Sequence, residues 1–393
     1  MSPYVSKAQL SGFKTNYKYS CIDDSPLSVY ITKPLWIWTS NFIPRNIAPN
    51  TLTLTGFFFT ILQFLLLSYY DPHFSASTNI PSYIWYVCAI FQYLSYMLDG
   101  VDGIQARKTG TSSPLGELMD HGIDSWTCCF TIMSLFSCIG HSNDYSKGVT
   151  FTDMFLMTWV LQFLFFSAHW EKLVTGVLYL PWTYDAGICA LIFLYTLTGY
   201  YGSSAIWSMT VNSSGLTLIE AGKNVFYVGS SLSIIYDIFK VFRIFQNKKN
   251  IRPFKQTLTP WVSMCLSFGL LAKWISHNQQ FHKNHNIAIV FPRIVLVASG
   301  ALFANILCRI LLYQMSKTKP THVINPGVMV VLSAYVLDVY FPNLMGTSLM
   351  LWYVTTMILV GMHLHFGGSV IRTLSDSFNI YPFSVEKRPS KDK

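Results

Sequence analysis

The sequence predicts an all-α integral membrane protein with about ten transmembrane helices and both termini in the cytosol. Two properties of its 393 residues predict this class: 51% are hydrophobic and only 11% are charged, and the mean hydropathy is +0.37. Soluble globular domains carry roughly 25% charged residues, which help to cover their surface. The composition therefore excludes soluble enzymes, disordered chains, coiled coils and small secreted disulfide scaffolds.

The apolar intervals of the chain define the predicted helices, because a helix needs about 20 mostly apolar residues to cross a bilayer. Polar and turn-forming segments such as DPHFSASTNIPS, QNKKNIRPFKQ and KTKPTH separate these intervals. We expect transmembrane helices near residues 48–70, 81–99, 118–140, 150–170, 186–207, 222–245, 258–276, 287–314, 322–342 and 346–371.

One membrane domain accounts for most of the chain. It covers residues 48–371 and follows a cytosolic or interfacial segment at 1–47. A cytosolic tail occupies residues 372–393. Since no other segment is long enough to form a second domain, function is expected within the membrane domain.

The positions of lysine and arginine predict the orientation in the membrane. With a cytosolic N-terminus, 22 of the 27 Lys and Arg residues fall on the cytosolic side and five on the opposite side. Cytosolic loops of membrane proteins carry such an excess.

The start of the chain has no apolar core typical of a cleaved signal peptide. The eight cysteines lack the spacing of a zinc site.

Acidic residues concentrate between the second and third predicted helices. Residues 99–124 contain five of the 18 Asp and Glu residues, where an even distribution predicts about one. Asp99 and Asp102 are three residues apart and share a helix face, as do Asp120 and Asp124 at a spacing of four. A turn near 108–115 would set the two pairs against each other.

Four carboxylates at close quarters repel unless cations compensate their charge. Oxygen ligands favour Mg²⁺ or Mn²⁺ over zinc, and two such ions form the clamp used in phosphoryl transfer. Arg107 suits a diphosphate, with Lys108 as a second candidate, and Gly100, Gly103 and Ala106 leave room for a large ligand. Acids in a solvated loop are the alternative explanation of the cluster.

The same window contains a family signature. From Asp99 to Asp124 it reads D-x2-D-G-x2-A-R-x8-G-x3-D-x3-D, which resembles the signature of the CDP-alcohol phosphotransferase family at every position. Segments APNTLTLTG, SSPLGELMDHGIDSW and SAHWEKLVTGVLYLPWTYD look like the eukaryotic choline/ethanolamine branch of that family. The YKYS start and the YPFS tail look closest to its ethanolamine-using members.

The resemblance implies a reaction and its partners. Phosphoethanolamine would pass from CDP-ethanolamine to diacylglycerol, giving phosphatidylethanolamine and CMP in the endoplasmic reticulum or Golgi membrane, with the active site facing the cytosol. It also implies a homodimer and two Mg²⁺ or Mn²⁺ ions. The metal ligands would be Asp99, Asp102, Asp120 and Asp124.

Three alternatives stay open. The chain could use CDP-choline, or both donors, or it could be an ion or metal transporter, since acids within membranes often mark ion pathways.

The basic clusters at 240–255 and 387–393 indicate contact with anionic membrane lipid rather than nucleic acid.

His121 is the candidate general base, because histidine titrates near neutral pH. Asp124 is its rival, although a metal-bound carboxylate is a weaker base. His121 could also be an ordinary polar helix residue bonded to a neighbour. Glu117 is a candidate contact of the donor, through cytidine or ribose.

Several small or polar residues complete the candidate donor site. Asn50, at the start of the first predicted helix, resembles a family position near the nucleotide, and a helix N-cap is its alternative. The other candidate donor contacts lie in the signature and are Gly103, Ala106, Arg107 and Gly116.

Two groups outside the signature also carry charge. His169, Trp170, Glu171 and Lys172 end the fourth predicted helix, where an interfacial cap of aromatic and charged residues is expected and donor contact is the alternative. Asp237 is expected to be a buried acid paired with Lys240, three residues later.

Overall fold

The computed structural model describes residues 3–75, 79–141, 148–211, 215–246, 254–281, 287–321, 324–341, 348–386 and 388. Within these residues the structure is almost entirely helical, apart from short strands β1 (Cys21–Ile22) and β2 (Leu178–Tyr179) and a π-helical turn at Ser28–Thr32. The helices are α1 (Lys7–Thr15), α2 (Lys33–Ser40), α3 (Pro49–Tyr70), α4 (Ser82–Thr109), α5 (Pro114–Ile139), α6 (Phe151–Thr175), α7 (Thr183–Tyr201), α8 (Ser203–Ser208), α9 (Leu218–Gln246), α10 (Phe254–Phe281), α11 (Ile287–Val290), α12 (Pro292–Ser316), α13 (Pro326–Tyr340) and α14 (Ser348–Phe378).

Among the described residues, seven helices are long and apolar enough to cross a membrane, namely α3, α5, α6, α9, α10, α12 and α14. The prediction of an all-α, multi-pass membrane protein is therefore confirmed. The count of ten stays a prediction, because α4, α7 and α13 fall outside the seven. One reason is length, since α13 has only 15 residues, and α4 carries charges along its last turns.

Several predicted helix boundaries need correction. The interval 186–207 covers both α7 and α8, which are separated at Gly202, and α14 continues beyond the expected end at 371 to Phe378. The second interval was expected to end at 99, but α4 continues to Thr109, so both of its aspartates lie inside the helix. The interval 287–314 contains two helices, because the chain breaks at Phe291 between α11 and α12.

The turn between α4 and α5 is shorter than expected. Gly110 ends α4 in the left-handed conformation, with φ of 68°, which glycine adopts without strain. Ser113 caps α5 by accepting a hydrogen bond from the Gly116 backbone N–H at 3.1 Å, and Pro114 occupies the first helical position. Because the turn is tight and α3 packs against both helices, the acidic stretches of α4 and α5 are held close together.

The central helix of the bundle is α12, which packs against α5, α6, α10 and α14. Its approach to α5 depends on Gly300, where a Cβ atom would lie 2.3 Å from Cys129 Sγ. The N-terminal segment also packs on this framework. A Cβ atom on Gly12 of α1 would lie 2.1 Å from the Ser316 carbonyl oxygen at the end of α12. β1 pairs in parallel with β2, which follows α6, so the start of the chain is fastened beside the ends of α6 and α12.

Candidate active site

Four aspartates of the signature meet between α4 and α5. One carboxylate oxygen from each of Asp99, Asp102 and Asp120 lies within 4.8 Å of the other two. The side chains of Asp99 and Asp124 are close enough to share a hydrogen bond. The structure therefore sets the two acid pairs against each other, as their spacing predicts.

Two hydroxyl groups from other helices orient this cluster. Thr53 of α3 donates a hydrogen bond to Asp102 Oδ2 at 2.5 Å, and Tyr184 of α7 donates one to Asp99 Oδ2 at 3.2 Å. Sequence reasoning missed both residues. They lie in the segments APNTLTLTG and PWTYD, which resemble the family but contain no feature that pairs them with a particular acid.

The carboxylate oxygens of the cluster suit a hard divalent cation. Asp99, Asp102 and Asp120 offer only oxygen atoms, which suit Mg²⁺ or Mn²⁺. A second group within 4.8 Å joins Asp120, His121 and Asp124 and includes a ring nitrogen, so the all-carboxylate group is the better match to these ions.

His121 lies beside the acids but faces the protein interior. Its Nδ1 atom is 3.6 Å from Asp124 Oδ2 and 4.0 Å from Asp120 Oδ2. The residue is only 7% exposed, and its Nε2 atom is buried without a hydrogen-bond partner. A carboxylate beside Nδ1 favours the tautomer that carries its proton there, which leaves Nε2 free to accept a proton.

The residues that follow Asp99 on α4 differ in exposure and in their contacts. Arg107 is exposed, Ala106 is half-buried, and a Cβ atom on Gly103 would lie 3.6 Å from an Arg107 guanidinium nitrogen, so Arg107 extends back over Gly103. Two neighbours, Lys108 and Gly100, have structural contacts that the sequence did not predict.

Lys108 is already engaged, because its ammonium group donates hydrogen bonds to the carbonyl oxygens of Ser40 at 2.7 Å and Ile43 at 2.9 Å. Two of the three N–H donors of Lys108 are therefore used to hold the end of α2 and the residues that follow it. Gly100 lies under the Trp36 indole, and a Cβ atom there would be 2.4 Å from Trp36 Nε1. The missing side chain at Gly100 therefore makes room for Trp36 rather than for a ligand.

Asn50 and Gly116 are neighbours at the edge of the acid cluster. A Cβ atom on Gly116 would lie 3.7 Å from Asn50 Oδ1. Asn50 Nδ2 donates a hydrogen bond to the Pro382 carbonyl oxygen. The N-cap alternative for Asn50 is wrong, because α3 begins after Ala48 and has no side-chain cap.

Glu117 and Lys172 form a buried ion pair, with 2.5 Å between Lys172 Nζ and Glu117 Oε1. The Tyr19 ring centroid lies 5.3 Å from the same ammonium group. Tyr17 also approaches Glu117, and burial followed by the charge of Glu117 raises the pKa of the Tyr17 phenol, so it stays protonated as a hydrogen-bond donor.

The end of α6 was expected to be an interfacial cap, and that expectation is wrong. His169, Glu171 and Lys172 are all buried, because this end of α6 packs between neighbouring helices instead of facing lipid headgroups. Glu171 binds Lys240 at 2.7 Å, and Lys240 lies 3.4 Å from Asp237, which confirms the predicted Asp237–Lys240 pair.

A polytopic helical membrane protein with converging aspartates on two helices, beside a histidine and an arginine, has the parts of a metal-dependent phosphotransferase. The sequence model described as CDP-alcohol phosphatidyltransferase matches residues 46–212. Ethanolaminephosphotransferase 1 of Mus musculus is 36% identical over 399 residues, covering 99% of this chain and 96% of the relative. Ethanolaminephosphotransferase 1 of Homo sapiens is also 36% identical, over 398 residues with the same coverage.

A cholinephosphotransferase 1 of Danio rerio is more distant, at 28% identity over 396 residues that cover 97% of this chain and 95% of the relative. This chain belongs to the CDP-alcohol phosphatidyltransferase family. Because the members of this family are enzymes, the alternative that the chain is an ion or metal transporter is rejected.

Proposed function

We propose that this protein transfers phosphoethanolamine from CDP-ethanolamine to diacylglycerol, giving phosphatidylethanolamine and CMP. The observation that carries the proposal is the convergence of four signature aspartates from α4 and α5. The names of the most similar relatives reported above support the ethanolamine head group. The more distant cholinephosphotransferase relatives make CDP-choline the donor to test against it.

The four aspartates would hold two Mg²⁺ or Mn²⁺ ions. When bound, these ions would neutralise the carboxylates and stabilise negative charge on the donor diphosphate. Thr53 and Tyr184 fix the carboxylate rotamers of Asp102 and Asp99 through their hydrogen bonds. Arg107 is exposed next to Gly103 and adds a guanidinium for the phosphate oxygens.

His121 acts as the general base. The acceptor hydroxyl loses its proton to Nε2 while its oxygen forms a bond to the phosphorus that carries the ethanolamine group. The bond from that phosphorus to the oxygen of CMP breaks, and CMP leaves with the electron pair. The buried, unpartnered Nε2 atom supports this role, and Asp124 is the rival base.

The remaining donor contacts surround the cytidine and ribose. Glu117 retains one buried oxygen, Oε2, without a partner after its ion pair with Lys172, and that oxygen can accept a hydrogen bond from the nucleotide. Asn50, Gly103, Ala106 and Gly116 complete the donor site, with the small residues leaving room for the ligand.

The membrane arrangement is part of the same proposal. Residues 48–371 form a domain of ten spans with the active site facing the cytosol, between a cytosolic or interfacial segment at 1–47 and a cytosolic tail at 372–393. The excess of basic residues on that side supports it. We place the protein in the endoplasmic reticulum or Golgi as a homodimer. Of the basic clusters expected to contact lipid, residues 247–253, 387 and 389–393 lie outside the described residues.

Donor competition tests the function. Purified protein receives diacylglycerol, Mg²⁺ and an equal mixture of CDP-ethanolamine and CDP-choline, and both lipid products and CMP are measured. We expect phosphatidylethanolamine to dominate, and CMP release to require both the metal and diacylglycerol. A majority of phosphatidylcholine would assign the choline reaction, and CMP release without a lipid product would reject the transferase.

A further inference from the structure

Three buried side chains next to the acid cluster carry polar atoms that have no hydrogen-bond partner in the described part of the chain. They are Nε2 of His121 on α5, Nδ1 of His169 on α6, and both amide atoms of Gln314 on α12. His169 is 1% exposed and Gln314 is 8% exposed. These atoms are therefore shielded from solvent as well as unpaired.

The three side chains lie together where α5, α6 and α12 pack against one another. The ring centroids of His121 and His169 are 4.9 Å apart with an interplanar angle of 64°. Gln314 is close enough to His169 for the two side chains to interact, but among the described residues no hydrogen bond of good geometry reaches His169 Nδ1 or either amide atom of Gln314. Phe165 packs on the other side of His169, with its ring centroid at 4.9 Å. The cluster is thus a buried polar patch that joins the acid cluster at His121 and contacts an aromatic ring at His169.

Unpaired polar groups are rare inside proteins, since burying one without a hydrogen bond is unfavourable. Within a membrane protein, lipid offers no replacement partner. Several such atoms in one place are typical of a site that is completed by a ligand or by water. Here they lie beside the proposed base, on the interior side of the carboxylates.

We propose that His169 and Gln314 bind the polar end of the lipid acceptor and hold its hydroxyl group at His121. This inference rests on the proposed function and extends it by assigning the acceptor site. Its chemistry matches the ligand, because diacylglycerol is uncharged and offers one hydroxyl donor and two ester carbonyl acceptors. An imidazole and a carboxamide supply neutral donors and acceptors for these groups.

The chemistry of the side chains distinguishes this site from the donor site, although Lys172 lies close enough for its charge to act on His169. Arg107, Lys172 and the carboxylates lie around the proposed donor contacts, whereas His169 and Gln314 supply neutral hydrogen-bonding groups. A phosphate would be held poorly by such groups alone, since protein sites for phosphate usually use arginine, lysine or backbone N–H groups. His169 and Gln314 therefore suit the uncharged acceptor better than the charged donor.

The test compares Michaelis constants of the two substrates. His169→Phe keeps an aromatic ring without the polar atoms, and Gln314→Met keeps the length of the side chain without the amide. We expect each variant to raise the KM for a short-chain diacylglycerol about fivefold, the effect of one lost hydrogen bond, while the KM for CDP-ethanolamine changes less than about twofold. His169→Asn, which can place a polar atom near the position of Nδ1, should restore part of the loss.

Gln162→Met is the matched control. Gln162 is also a buried amide on α6 facing α12, where its Oε1 atom accepts a hydrogen bond from Ser299 at 3.3 Å. We expect this variant to leave both Michaelis constants within about twofold of the wild type. An equal rise of the diacylglycerol KM in Gln162→Met would show a general packing effect and overturn the inference.

A binding measurement separates this inference from the proposed reaction. Short-chain diacylglycerol without donor or metal should raise the melting temperature of the wild-type protein and of Gln162→Met, but not that of His169→Phe or Gln314→Met. Without ligand, His169→Phe should be at least as stable as wild type, because it removes an unpaired polar atom. Failure of wild-type transfer with retained diacylglycerol binding would reject only the function. Normal transfer with an unchanged diacylglycerol KM in both variants would reject only the acceptor site.

Discussion

Asn50 Nδ2 donates a hydrogen bond of 2.7 Å to the Pro382 carbonyl oxygen, joining the first turn of α3 to the C-terminal tail across 332 residues of sequence. Asn50 is 9% exposed, and its Oδ1 atom faces Gly116 on the signature helix. The tail is therefore attached at the edge of the proposed donor site.

Replacing Asn50 with alanine should weaken donor binding by releasing this tail. Loss of one hydrogen bond corresponds to about 1 kcal/mol, so we expect a roughly fivefold higher KM for CDP-ethanolamine and faster proteolysis of the tail. Arg388→Gln is the control, because the Arg388–Asp376 pair is partly exposed and such pairs contribute little. An unchanged KM together with unchanged proteolysis in Asn50→Ala would show that the bond has no role in either property.

Neutralising any of the proposed metal-binding carboxylates should remove both activity and metal binding. For Asp99→Asn, Asp102→Asn or Asp120→Asn we expect at least a hundredfold loss of turnover, of order 3 kcal/mol in the barrier, and no rise in melting temperature on adding Mn²⁺. Asp338→Asn is the control, since Asp338 is buried but accepts hydrogen bonds from Trp274 and Ser348, outside the cluster. A control that also lost its response to Mn²⁺ would contradict the assignment.

The general base can be identified by comparing His121→Ala with Asp124→Asn. Loss of a base lowers turnover by roughly 100- to 10,000-fold. We expect His121→Ala to show this loss while keeping the thermal response to Mn²⁺, and Asp124→Asn to lose both. Near-normal turnover of His121→Ala at every pH tested would exclude His121 as the base.

Removing one partner of the buried Glu117–Lys172 ion pair should lower the stability of the protein more than replacing both partners. Lys172→Met leaves the Glu117 carboxylate buried without its cation, so we expect a loss of about 3 kcal/mol in the free energy of unfolding. The double variant Lys172→Met/Glu117→Gln should recover most of that stability but retain a raised KM for CDP-ethanolamine. Denaturant titration measures the first effect, and a double variant no more stable than Lys172→Met would contradict the explanation.

Adjacent basic residues on α4 should behave differently. Arg107→Gln should raise the KM for CDP-ethanolamine about tenfold or more, because an exposed guanidinium beside Gly103 is lost from the phosphate site. Lys108→Gln should lower stability without a comparable change in KM, since Lys108 binds two carbonyl oxygens at the end of α2. Equal effects of the two substitutions on KM would show that both bind the donor.

The sequence predicted those features that depend on local spacing. Asp99, Asp102, Asp120 and Asp124 could be paired before the structure, because helix periodicity places each pair on one face and a Gly- and Pro-containing turn returns the chain. The apolar intervals located the long helices for the same reason, although the boundary of α4 was misplaced because its charged last turns remain helical.

Contacts between side chains on different helices could not be predicted from the sequence, because they depend on which helices pack together. Thr53 and Tyr184 reach the acids from α3 and α7, and His169 is buried because α6 packs among other helices. The side chain of Lys108 turns towards the end of α2 whereas Arg107 is exposed, and neither outcome follows from the sequence around them. Apolar periodicity identifies membrane helices but says little about their neighbours, since lipid and protein partners are equally apolar.

The attachment of the tail at Asn50 has a consequence for biosynthesis. The ribosome completes the signature helices and inserts them in the membrane long before it reaches Pro382, because the tail follows α14. A chain whose translation stops after α14 would already contain every signature aspartate, yet it would lack the bond from Asn50 to the tail. Newly made protein therefore gains the contact between Asn50 and the tail only after α14 is complete.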